Sequence, residues 1–118
     1  MYNVVFYQKE NGSCPIRDFL NSLDYKMRAK CLRLLGLLEQ NGNDLREPYS
    51  KSLGDGLYEL RVKQGSDIVR MLYFFFIGHK IVVTNGFVKK ARKAPRQEIE
   101  LAKRCKKEYM ERKENQHE

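Results

Sequence analysis

Two arginines stand inside segments that otherwise read as apolar strands: Arg61, at the end of Gly56-Leu57-Tyr58-Glu59-Leu60-Arg61, and Arg70, the one charged residue between Ile68 and Ile77. A guanidinium in such a place is costly to desolvate unless it points into a cleft or meets an anion. If the two strands are adjacent and antiparallel, both groups can project from one sheet face. Each offers planar donors that bind two oxygens at once, so together they would make a fork for phosphate. The alternative for either arginine is a structural ion pair, with Glu59 or Asp67 as partner.

A third feature favours the anion site. The β-branched run Ile81-Val82-Val83-Thr84 has the character of a buried central strand, and after Val88 it gives way to Lys89, Lys90, Arg92 and Lys93, four cations within five residues. Pro95 follows, and its fixed φ and missing N–H suit the first turn of a helix. The cations therefore fall between a core strand and a helix. Successive strand residues face opposite ways, so only one of Lys89 and Lys90 can share the face of Arg70, and phase alone does not choose between them.

Other chemistries have little support. His79 falls in a predicted turn and His117 in the tail, which suits neither a His-based triad nor a metal site. Cys14, Cys31 and Cys105 are odd in number, widely spaced and without a Cys-x-x-Cys pair, and read as buried reduced thiols. No Gly-rich phosphate loop and no paired-carboxylate pattern is present. Tyr58 and Tyr73 could stack on a base, but an aromatic in a strand more commonly packs. Neither a metal nor another cofactor is expected.

The elements that must position these residues follow from periodicity. Tyr2 to Tyr7 reads as a first strand, with Asn11-Gly12-Ser13 as the loop after it. Pro15 opens a helix whose Ile16, Phe19, Leu20 and Leu23 form one stripe; Asp24 can end it and cap a second helix carrying Met27, Cys31, Leu34, Leu35 and Leu38. The polar segment from Asn41 through Pro48 and Ser52 reads as a surface loop. From Gly56 the period becomes two, with Leu57, Glu59, Arg61 and Lys63 on one side and Tyr58, Leu60 and Val62 on the other. Turns at Gln64-Gly65-Ser66-Asp67 and Gly78-His79 make three consecutive strands an antiparallel meander. A helix to about Lys113 closes the chain, with Ile99, Ala102, Cys105 and Tyr109 on its apolar face. The expected architecture is α+β: strand, helix pair, meander, C-terminal helix.

At 118 residues the chain has the size of one domain, 1–118. Its 23 Lys and Arg against 15 Asp and Glu leave a formal charge of +8, which favours a polyanionic partner. No apolar run approaches a membrane span and the N-terminus lacks the pattern of a signal peptide, so a cytoplasmic protein with no membrane partner is expected.

The order of elements, with Gly56-Leu57-Tyr58-Glu59-Leu60-Arg61, Val69-Arg70-Met71-Leu72-Tyr73-Phe74, and Asn85-Gly86-Phe87-Val88-Lys89-Lys90 followed by Lys93-Ala94-Pro95, resembles the RelE/ParE toxin superfamily, and within it the phage-related HigB-type toxins of type II toxin–antitoxin modules. The similarity spans nearly the whole chain. It departs at Ala94, where the family commonly has a Thr or Ser able to cap the last helix.

The resemblance implies a small RelE-like toxin that enters the ribosomal A site and cuts messenger RNA without a metal, with a cognate helix-turn-helix antitoxin as inhibitor. It further implies that Arg61 and Arg70 act on the scissile phosphate, that Lys89 or Lys90 binds phosphate or moves a proton, and that Arg92 and Lys93 hold flanking RNA. Two other readings stay open: a ParE-like inhibitor of DNA gyrase, and a noncatalytic RNA- or ribosome-binding module.

Overall fold

The computed structural model describes residues 1–89 and 95–116. Within them five strands form one sheet in the order β1-β5-β4-β3-β2, flanked by three helices, an α+β architecture as expected. The strands are β1 Asn3–Phe6, β2 Ser50–Gly54, β3 Leu57–Gln64, β4 Asp67–Phe76 and β5 Lys80–Lys89; the helices are α1 Pro15–Ser22, α2 Tyr25–Asn41 and α3 Arg96–Gln116. β2 to β5 run antiparallel, whereas β1 joins the far edge parallel to β5, with Val4 opposite Ile81. No helix among the described residues is long and apolar enough to cross a membrane.

The helix boundaries follow the predicted signals. The Asp24 side chain accepts a hydrogen bond from the Met27 N–H at 2.8 Å, which caps α2 and separates it from α1. α2 ends at Asn41 with Gly42 as its cap at positive φ, and a Cβ there would run into the Tyr2 ring. Pro95 stands just before α3, and its carbonyl accepts from the N–H groups of Glu98 and Ile99 at 3.0 and 3.3 Å.

Two apolar layers sandwich the sheet. On one face α1 and α2 bury Ile16, Leu20, Cys31 and Leu38 against Leu60, Val62, Val69, Met71, Tyr73 and Val83. Gly86 lets α1 approach closely, since a Cβ at that position would lie 2.6 Å from the Phe19 ring. On the other face α3 sets Ala102, Cys105 and Tyr109 on Leu57, Leu72, Phe74 and Val82. The apolar β4 is thereby covered on both sides, as its composition requires. All three cysteines are free and buried, and burial pushes the thiols of Cys31 and Cys105 up to about 11.

One element departs from expectation. Ser50–Gly54, expected as part of a surface loop, is a fourth meander strand that pairs with the first half of β3, Lys51 opposite Glu59. Its single apolar residue, Leu53, carries too little alternation to announce a strand, and its pairing with β3 supplies what local propensity does not. The C-terminal helix also runs to Gln116, one turn past the expected Lys113.

Candidate active site

Arg61 on β3 and Arg70 on β4 are direct partners across the antiparallel ladder, so both side chains leave the sheet on the α3 face. Leu57 and Glu59 precede Arg61 at intervals of two and share that face. α3 packs on the end of the face built from Leu57, Leu72 and Phe74; its apolar cluster reaches Phe87, opposite Arg70, but includes neither arginine.

Glu59 sits between the arginines. Its Oε2 accepts from Arg61 Nε at 2.9 Å and also from an Arg70 guanidinium N–H, while the residue is only 1 % exposed. Asp67 plays no such part; its Cα partner is Gln64, at the turn. The ion-pair alternative is therefore realised, but with one carboxylate shared by two guanidinium groups, which leaves a positive excess. Arg70 is 6 % exposed and its Nε has no hydrogen-bond partner among the described residues. Burial, and then the adjacent Arg61, hold the Arg70 guanidinium below the usual range, against the opposing pull of Glu59.

Lys89 is the lysine that joins them, and a β-bulge is the cause. Tyr73 pairs with Val83 but Leu72 pairs with Asn85, so Thr84 is an extra residue in β5. Beyond it Phe87 lies opposite Arg70 and Lys89 opposite Ile68, which places Lys89 on the face of Arg70. Without the extra residue Gly86 would oppose Arg70, and Lys89 would point to the α1–α2 face. The bulge is pinned by side chains: Thr84 Oγ1 donates to Asn85 Oδ1 at 2.6 Å, and Asn85 Nδ2 donates to the Glu98 carboxylate at 3.0 Å in the first turn of α3. Desolvation, then the charge of Arg70, lower the Lys89 ammonium below its ordinary value; Arg61 and Lys51 act in the same direction and Glu59 opposes them.

Of the remaining expected site residues, Lys90, Arg92 and Lys93 lie outside the described residues, as do Ala94 and His117. Tyr58 and Tyr73 stack on each other on the opposite face, ring centroids 5.5 Å apart, and are packing residues. His79 is exposed in the β4–β5 turn and meets the Tyr2 ring edge-on.

One residue of the cluster, Lys51, was not singled out by the sequence, and Glu59 was named only as a possible ion-pair partner. Glu59 stands two residues before Arg61, which already implied a common face, yet nothing local showed that it would engage both arginines. Lys51 belongs to the strand that read as a loop.

The geometry defines a small α+β protein whose central strands bring two guanidinium groups, one carboxylate and a lysine of lowered pKa together at one end of a sheet face. A family model, phage-derived protein Gp49-like (DUF891), matches residues 18–107 and takes in α2, β2 to β5 and the first half of α3. The chain belongs to this family, one of RelE-like toxins of toxin–antitoxin modules. No curated protein matches the chain.

Proposed function

We propose that the protein is a HigB-type toxin, an mRNA endoribonuclease that acts in the ribosomal A site of the cytoplasm, inhibits translation and is held in check by a helix-turn-helix antitoxin. The observation that carries this reading is the direct pairing of Arg61 with Arg70 on the face that Lys89 also occupies. Family membership supports a toxin and, with it, an antitoxin partner.

The chemistry needs no metal. The RNA 2′-oxygen attacks the adjacent phosphorus, the O2′–P bond forms and the P–O5′ bond breaks, which leaves a 2′,3′-cyclic phosphate and a 5′-hydroxyl. Arg61 and Arg70 orient the phosphate and offset the charge that develops on its oxygens. Neutral Lys89 takes the 2′-hydroxyl proton, a role that its lowered pKa favours, and solvent protonates the leaving 5′-oxygen. Glu59 aims both guanidinium groups; Lys90, Arg92 and Lys93 hold flanking RNA backbone.

One observation favours the noncatalytic RNA-binding reading: Glu59 already partners both arginines, as in a structural ion pair. Cleavage mapping on translating ribosomes with wild type and single substitutions of Arg61, Arg70 and Lys89 separates the two. A nuclease shortens the transcript within codons and each substitution suppresses the cut while ribosome binding persists. An intact transcript with wild-type protein overturns the proposal, and a gyrase inhibitor would give that result.

A further inference from the structure

Beside the arginines, where β3 outruns the short β2, lies a pocket of about 320 Å³. Leu34 of α2, Pro48, Val62 and Ile68 give it apolar walls, and Tyr49 stands at its rim with 47 % of its surface exposed. The Tyr49 backbone is held in place, because its carbonyl accepts from the Arg61 N–H at 2.7 Å. Arg61 and Arg70 are themselves among the lining residues, so the pocket adjoins the arginine pair. Lys30 and Lys63 complete it, tied together by a hydrogen bond from the Lys30 ammonium to the Lys63 carbonyl, and no carboxylate contributes.

A ligand that suits this surface has a flat apolar body joined covalently to a phosphate. We infer that the pocket receives the base of the nucleotide adjoining the scissile phosphate, with Tyr49 as the stacking residue. The inference rests on the RNA-cleaving function proposed above. An unstacked base on an aromatic ring is a recurrent mode of single-strand RNA recognition. The phosphate at Arg61 and Arg70 would bring the base within reach, whereas a peptide side chain has no such tether. The pocket would thereby set which nucleotide lies at the cut, since the walls beside Tyr49 limit the size of what enters.

The test uses ribosomes programmed with a message whose A-site riboses are 2′-O-methylated, so that binding is read without cleavage. Wild type and Tyr49→Ala are titrated onto them with the base present and with a stable abasic residue at each A-site position in turn. Tyr49 is half exposed, and the Tyr49→Ala variant should fold; circular dichroism checks this. At one position, loss of the base is expected to weaken wild-type binding roughly 5-fold or more, and Tyr49→Ala should weaken binding by a similar factor only when that base is present. Ile68→Trp, which fills the pocket, should reproduce the loss and redistribute cleavage sites on an unmodified message.

Equal loss for abasic and base-bearing messages overturns the inference. So does coupling to none of the positions, while cleavage by wild type would leave the proposed function intact. Protection of Tyr49 by the antitoxin, in the absence of any coupling to a base, would assign the pocket to that partner instead. Failure of wild type to bind the programmed ribosome removes both the inference and the function on which it rests.

Discussion

The two faces of the sheet are built from the same strands and resolve their alternation in opposite ways. On the α1–α2 face every inward residue from Leu60 and Val62 to Met71 and Val83 is apolar, and the polar groups that enter, such as the Tyr73 and Ser50 hydroxyls, bond to each other at 2.5 Å. On the α3 face apolar cover stops part-way along, and the continuing rows change from Leu57, Leu72 and Phe74 to Glu59, Arg61, Arg70 and Lys89. Since α3 is 21 residues long, its length does not limit that cover. The limit is where it starts: the first turn is fixed at Asn85 through Glu98, and past that point Phe87 continues the apolar cluster beside the charged rows. One face is thus a core that meets the Tyr49 pocket only at its Leu34 and Val62 edge; the other is a core that gives way to a site, with the β5 bulge at the boundary.

The largest expected effect follows from removing one partner of the shared carboxylate. Arg70→Ala should lower ribosome-dependent cleavage about 10²-fold to 10³-fold, the loss typical of a single donor to developing charge. It should also destabilise the fold by about 3 kcal/mol in urea unfolding, because buried Glu59 is left with Arg61 alone. Leu38→Ala on the other face should cost a comparable ~2–5 kcal/mol through a cavity. Cleavage per folded molecule should stay unchanged in that variant. An equal loss of specific activity in both would erase the distinction between the faces.

Much of this division was legible from the chain. The turn at Gly65-Ser66 pairs Gln64 with Asp67, and counting outward from it brings Arg61 opposite Arg70 without further information. The stripes of α1, α2 and α3 came from simple spacing, and the Asp24 cap from residue type. The bulge was not legible, because Thr84, Asn85 and Gly86 interrupt the apolar run without marking which residue is the extra one; Thr84 and Asn85 disclose it only through their bonds to each other and to α3. For that reason alternation could not choose between Lys89 and Lys90. β2 was missed because Lys51 and Ser52 do not look like strand residues, and Glu59 was seen only as a possible partner of one arginine, since dual pairing depends on how two side chains converge.

Intermediate effects concern the charge balance at Lys89. Neutral amine is the reactive form, so activity should rise with pH, and a lowered pKa places the acid limb below the ordinary lysine range. Arg61→Gln removes a cation that depresses the ammonium, so its acid limb should move to higher pH. Glu59→Gln removes the opposing anion, so its limb should move to lower pH. In the latter variant kcat should fall about tenfold as the arginines lose their aim, while KM also falls because the site becomes more positive. A profile that ignores both substitutions would exclude Lys89 from the proton step.

The smallest effect belongs to the α1–α2 face and checks that its polar groups serve the fold alone. Burial raises the Tyr73 phenol above its usual value, against the hydrogen bond shared with Ser50. Tyr73→Phe should cost about 1 kcal/mol, because the buried Ser50 hydroxyl loses its partner. Adding Ser50→Ala removes the orphaned group and should recover part of that loss. Neither variant should shift the acid limb of cleavage, although Tyr73 adjoins Leu72 at the bulge. A shift in either would mean that the core face controls the register that carries Lys89, and that the two faces are coupled through Thr84 rather than independent.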